Sequence, residues 1–82
     1  MIELDPHAIT RMQQRGAEEN EVKKTVTEGI KIPAKYGRAG FKKNFIYNSE
    51  WNNKFYKTKQ VIVYAEQEID KLLVITVITK YF

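Results

Sequence analysis

The apolar residues of this chain change their spacing once, and that change sets what it can fold into. Before Pro33 they recur at helical intervals, and beyond Gly40 they follow the spacing of strands. With 82 residues there is room for one core shared by the two kinds of element. The expected product is a single α+β domain over residues 1–82. Two N-terminal helices should pack on one face of a three- to four-stranded antiparallel sheet.

Local signals place the elements. Asp5 is a good helix N-cap, and Pro6 suits the first helical position, where an N–H has no partner to lose. Ala8, Ile9 and Met12 then form an apolar side, and Gly16 is a natural stop. A second helix is expected from about Glu18 to Glu28, with Val22 and Val26 on its buried face and Gly29 ending it. Pro33 and the stretch from Gly37 to Gly40 mark a connecting loop. Strands are expected over 41–47, 55–65 and 72–79, joined by turns at 48–53 and 66–71. The last strand is almost continuously apolar, which argues for a central or well-covered position. Met1 to Leu4 fits a short edge strand.

Several chemistries are excluded by composition. Without cysteine there is no disulfide, thiolate zinc site or thiol nucleophile, and a single histidine rules out a histidine-rich metal site. No metal or cofactor is expected. The first residues lack a signal peptide's charged start and apolar stretch, and the longest apolar runs are far too short to span a bilayer. A cytoplasmic location follows.

The net charge of +4 is unevenly distributed. Residues 30–64 hold eight basic side chains against Glu50 alone, whereas residues 1–29 hold four against six acids. In that basic middle, Arg38, Lys42, Lys43 and Lys57 are interleaved with Phe41, Phe45, Tyr47, Trp51, Phe55 and Tyr56. Cations that meet phosphates, beside rings that stack on bases, suit RNA. An ordinary solvated hairpin with its aromatics turned to the core fits the same composition.

The first helix carries a sharper feature. Residues four apart are offset by only about 40° around a helix axis. His7, Arg11 and Arg15 therefore form one stripe, adjacent to the apolar side and not opposite it. Their neighbours at four-residue spacing are one another, apart from Glu19, so no acid on the same helix neutralises them. An anion is the natural partner, and phosphate suits the arginine fork. The structural alternative has His7 packed on Leu4 and the arginines paired with Glu66 or Glu68.

The run His7-Ala8-x-x-Arg11-Met12-x-x-Arg15-Gly16, the pair Glu21-Val22, the segment Tyr-x-x-Lys-x-Val from Tyr56 to Val61 and Val-Ile-Thr-Val from Val74 to Val77 occur in order. Together they resemble a widespread family of uncharacterised small bacterial domains. That family is similar in layout to the barnase, EndoU, colicin and RelE-like ribonucleases, many of them toxins of toxin–antitoxin systems. The resemblance implies a RelE/barnase-like fold and metal-independent RNA cleavage, in which a 2′-hydroxyl attacks the adjacent phosphate. It implies His7, Arg11, Lys59 and Thr76 as catalytic residues, with His7 the side chain suited to proton transfer near neutrality. Arg15 joins Arg11 in holding phosphate, and Tyr56, Tyr64 and Tyr81 become candidates for stacking or proton transfer. RNA and an antitoxin protein covering the basic face are the implied partners. Thr76 equally suits a strand for structural reasons alone. Ala17 departs from the family pattern, which usually has a bulky apolar residue there.

Overall fold

The computed structural model describes all residues, Met1–Phe82. In chain order it comprises β1 (Ile2–Leu4), α1 (Pro6–Arg15), α2 (Glu19–Glu28), β2 (Ile30–Ile32), β3 (Ala39–Trp51), β4 (Lys54–Gln67) and β5 (Leu72–Tyr81). The α+β class and both helices are as the sequence leads one to expect. The sheet is larger and mixed. Its five strands lie in the order β1-β5-β4-β3-β2, with β1 parallel to β5 and every other pairing antiparallel.

The helix ends follow from side-chain chemistry. The Asp5 carboxylate accepts the His7 backbone N–H at 2.9 Å, and Pro6 follows as the first helical residue. Gly16 ends α1 with φ of 73°, a left-handed conformation that costs a glycine little. A side chain there would also collide, because a Cβ would lie 2.6 Å from the Trp51 ring and 2.8 Å from the Tyr81 hydroxyl. At the start of α2 the Glu21 carboxylate reaches back to accept the Glu18 N–H at 3.0 Å.

Two strand expectations are corrected. The turn between β3 and β4 is only Asn52–Asn53, both left-handed, as a two-residue hairpin requires. The remainder of the expected turn at 48–53 is strand, interrupted by a register shift between Ile46 and Ser49, where Asn48 has φ of 44°. The strand β2 is a three-residue addition that pairs with Gly40–Lys42. The centre of the sheet is β4, while the apolar β5 is covered, as its sequence suggests, lying between β1 and β4 with Val74 and Val77 fully buried. On its outer side β5 is paired only over Leu72–Val74, leaving its edge open from there to Tyr81.

Both helices cover one face of the sheet. Ala8, Met12, Ala17 and Val22 pack there against Val61, Val63, Ala65, Val74 and Val77. Val26 is half-buried beside them, but Ile9, expected on the apolar side of α1, is 42% exposed. The register puts Lys59, Val61 and Val63 opposite Tyr81, Thr79 and Val77 on this helix-covered face. Gly40, Ile62, Tyr64, Thr76 and Ile78 alternate onto the helix-free face.

Candidate functional site

Helix α1 docks along β5, and its orientation decides where the stripe lies. The Asp5 N–H donates to the Val74 carbonyl near the start of α1. At the other end Arg15 Nη1 donates to the Val77 carbonyl at 2.6 Å. Thr58 and Phe82 exchange both backbone hydrogen bonds, so by alternation the polar backbone groups of Val77, Thr79 and Tyr81 point away from β4. Arg15 therefore reaches over the open edge of β5. Next to it on the same stripe are Arg11, half-exposed, and His7, exposed.

Charge is poorly balanced along this edge. Neither Arg11 nor Arg15 forms an ion pair. Their expected alternatives, Glu66 and Glu68, are engaged by Arg38 at 3.3 Å and Lys71 at 3.7 Å. Arg11 Nε donates to His7 Nε2 at 3.4 Å, and its Nη1 donates to Gln14 Oε1 at 3.1 Å. The stripe is thus two guanidiniums beside an imidazole. His7 is solvent-exposed and not packed away as a core ring.

The expectation of four catalytic residues around one cleft is corrected. Lys59 is 3% exposed, and its ammonium donates to Glu21 Oε1 at 2.7 Å and to the Gly16 carbonyl. The Tyr47 ring lies 5.6 Å away. These partners account for the charge, so Lys59 locks the end of α1 and the start of α2 to the sheet. Thr76 lies on the other side of the sheet from α1. Of the quartet only His7 and Arg11 are in contact, and no cavity is lined by either.

Around Lys59 is an aromatic cluster that the stacking expectation did not separate from the RNA candidates. Tyr81 stacks on Trp51 with centroids 5.0 Å apart and tilts against Tyr47 and Tyr56. The hydroxyls of Tyr81 and Thr79 both donate to the Arg15 carbonyl, at 2.8 and 2.9 Å. Burial pushes the Tyr81 phenol above its ordinary pKa, the neighbouring Tyr47 and Glu21 adding to the rise while Thr79 opposes it. Tyr56 therefore serves the packing of this cluster, and Lys54 covers its ring at 5.6 Å.

The remaining candidates divide by location. Lys57 is exposed on β4 and forms no ion pair. Lys43 approaches Glu28 at 3.6 Å, and Lys42 lies beside it in a shallow depression that Gln60 also lines. Arg38, Tyr64 and Thr76 meet at a separate cavity on the helix-free face, together with Lys35 and Tyr36. Those last two were not singled out by the sequence, although a loop between Pro33 and Gly37 is a familiar place for binding residues. The largest depression, of about 720 Å³, is wide open and lies between the start of β1, α2 and the β4–β5 turn, away from every candidate.

A family described as a domain of unknown function, DUF4258, matches residues 4–79. The chain belongs to the DUF4258 family. The matched span of this DUF4258 domain runs from the end of β1 into β5 and takes in the stripe, Lys59 and both faces of the sheet. No curated protein matches the chain, and no solved structure does. No ribonuclease or toxin family is indicated for the chain.

Proposed function

We propose that this DUF4258 domain is a toxin-like endoribonuclease that holds one RNA phosphate at the His7–Arg11–Arg15 stripe. The observation that carries this reading is the pair of arginines without a carboxylate partner, next to the only imidazole of the chain. An RNA phosphate would draw Arg11 from Gln14 and from His7, completing the guanidinium's hydrogen bonds and freeing the His7 Nε2 lone pair. In the proposed step, His7 Nε2 takes the proton of the ribose 2′-hydroxyl. The 2′-oxygen bonds to phosphorus, and the bond from phosphorus to the 5′-oxygen breaks. Water protonates the leaving 5′-oxygen, giving a 2′,3′-cyclic phosphate and a 5′-hydroxyl. Arg11 and Arg15 stabilise the charge that develops on the phosphoryl oxygens. The proposed enzyme needs no metal, works in the cytoplasm and is held in check by an antitoxin protein over the basic face.

One observation favours a second reading, a non-catalytic RNA- or protein-binding module. Neither Lys59 nor Thr76 reaches His7, so its proton transfers have no second strong partner. An RNA substrate and its counterpart with a 2′-deoxy sugar at the cut position separate the two readings. The ribonuclease cuts only the first, with or without EDTA, and His7→Ala abolishes cutting while RNA binding remains. Binding without any cutting by the wild type establishes the module instead.

A further inference from the structure

The cavity on the helix-free face has a composition unlike that of the stripe. The β2–β3 loop closes over the Tyr64–Thr76 pair of neighbouring strands and leaves a space of about 320 Å³. Pro33, Lys35, Tyr36 and Arg38 line it from the loop side. The hydroxyls of Tyr64, Thr76 and Tyr36 have no hydrogen-bond partner within the protein, and Lys35 forms no ion pair. Arg38 is held by Glu66 at 3.3 Å, with its guanidinium 5.9 Å from the Tyr36 ring centre.

Two features keep this arrangement in place at some cost. Tyr36 is 87% exposed and has φ of 60°, an unfavourable region for a bulky side chain, so the loop displays the ring to solvent. Across the sheet, Gly40 lets the Tyr64 ring lie against the β3 backbone. A Cβ at Gly40 would come within 3.1 Å of Tyr64 and 2.8 Å of Ile32. The floor of the cavity is therefore a ring with a fixed plane, bordered by free hydroxyls and two cations.

We infer that this cavity is a nucleotide subsite, in which a base stacks on the tyrosines while Lys35 and Arg38 attract its phosphate. The inference rests on the reading of the domain as RNA-binding and adds a base-holding site to it. Thr76 and Val77 are consecutive on β5, so the cavity and Arg15 lie on opposite sides of one strand. The outer edge of that strand is uncovered beyond Val74, which leaves a path for single-stranded RNA to pass from the base subsite to the stripe.

The test uses the full chain, with adenosine and uridine 5′-monophosphates as probes and ribose 5-phosphate as the base-free control. Backbone amide signals of Tyr64, Thr76 and residues 34–38 should move with the nucleotides, and those of Tyr36, Tyr64 and Thr76 should stay in place with the sugar phosphate, which lacks the base that stacks there. Tyr36→Ala, at an exposed position that leaves the core intact, should weaken nucleotide binding roughly tenfold. Thr76→Val should bring a smaller loss. Equal response to ribose 5-phosphate, movement confined to α1, or unchanged affinity in both variants overturns the subsite. An oligoribonucleotide titrated in parallel separates the two failures. If both variants bind it as the wild type does, the RNA reading stands and the subsite falls; if the wild type binds no RNA, both fall.

Discussion

Replacing Glu21 by glutamine removes the charge that compensates the Lys59 ammonium while keeping the shape of the side chain. A buried cation left with neutral acceptors is costly, and the expected loss in urea unfolding is about 3 kcal/mol. Lys59→Met, which removes the buried charge itself, should cost less. Neither change should lower RNA affinity, because Lys59 is enclosed by Glu21, Gly16 and Tyr47. A second expectation concerns Tyr81. Burial raises its folded pKa above the ordinary phenol value of 10.0, so the unfolded chain loses the phenol proton first as pH rises. Its contribution to stability is complete below about pH 10 and disappears between there and the higher folded pKa. Tyrosinate absorbance followed through an alkaline titration should show one late-ionising tyrosine in the wild type, absent in Tyr81→Phe. At this scale the stripe was legible, because helical spacing is arithmetic. The fate of Lys59 was not: a strand lysine in a basic segment looks like a phosphate ligand until Glu21, far away in sequence, is brought to it.

Gly16 joins local conformation to packing at the level of elements. Alanine there meets both a left-handed φ and the rings of Trp51 and Tyr81, so α1 must shift on β5 or the rings must move. A loss of roughly 2 kcal/mol is expected in thermal or denaturant unfolding. The helices were readable because Asp5, Pro6, Gly16 and Gly29 are local signals that act within one turn. The strands were less so. Three residues of Ile-Lys-Ile are too short for period to identify β2, and pairing with Gly40–Lys42 is what makes them a strand. The asparagine-rich stretch contains enough left-handed formers for a long turn, yet only Asn52 and Asn53 make one. The apolar run of β5 points to coverage, which the helices supply from one face while its edge stays open.

Taken whole, the molecule separates its positive charge into paired and unpaired sets. Lys23, Lys43, Lys59, Lys71 and Arg38 have carboxylate partners, whereas the other nine, among them Arg11, Arg15, Lys35 and Lys57, have none. Composition revealed the basic middle of the chain but not this sorting, which depends on which acids the fold brings within reach. Nor did it reveal that Arg38, Tyr64 and Thr76 share a cavity, since a loop and two neighbouring strands combine only in three dimensions. In the proposed function the α1 stripe holds an RNA phosphate. The most direct test of this claim is the salt dependence of oligoribonucleotide binding by the wild type and by Arg11→Ala. Affinity should fall steeply with salt in the wild type, and the slope should be shallower by about one released counterion in the variant. Parallel slopes and equal affinities would contradict the claim.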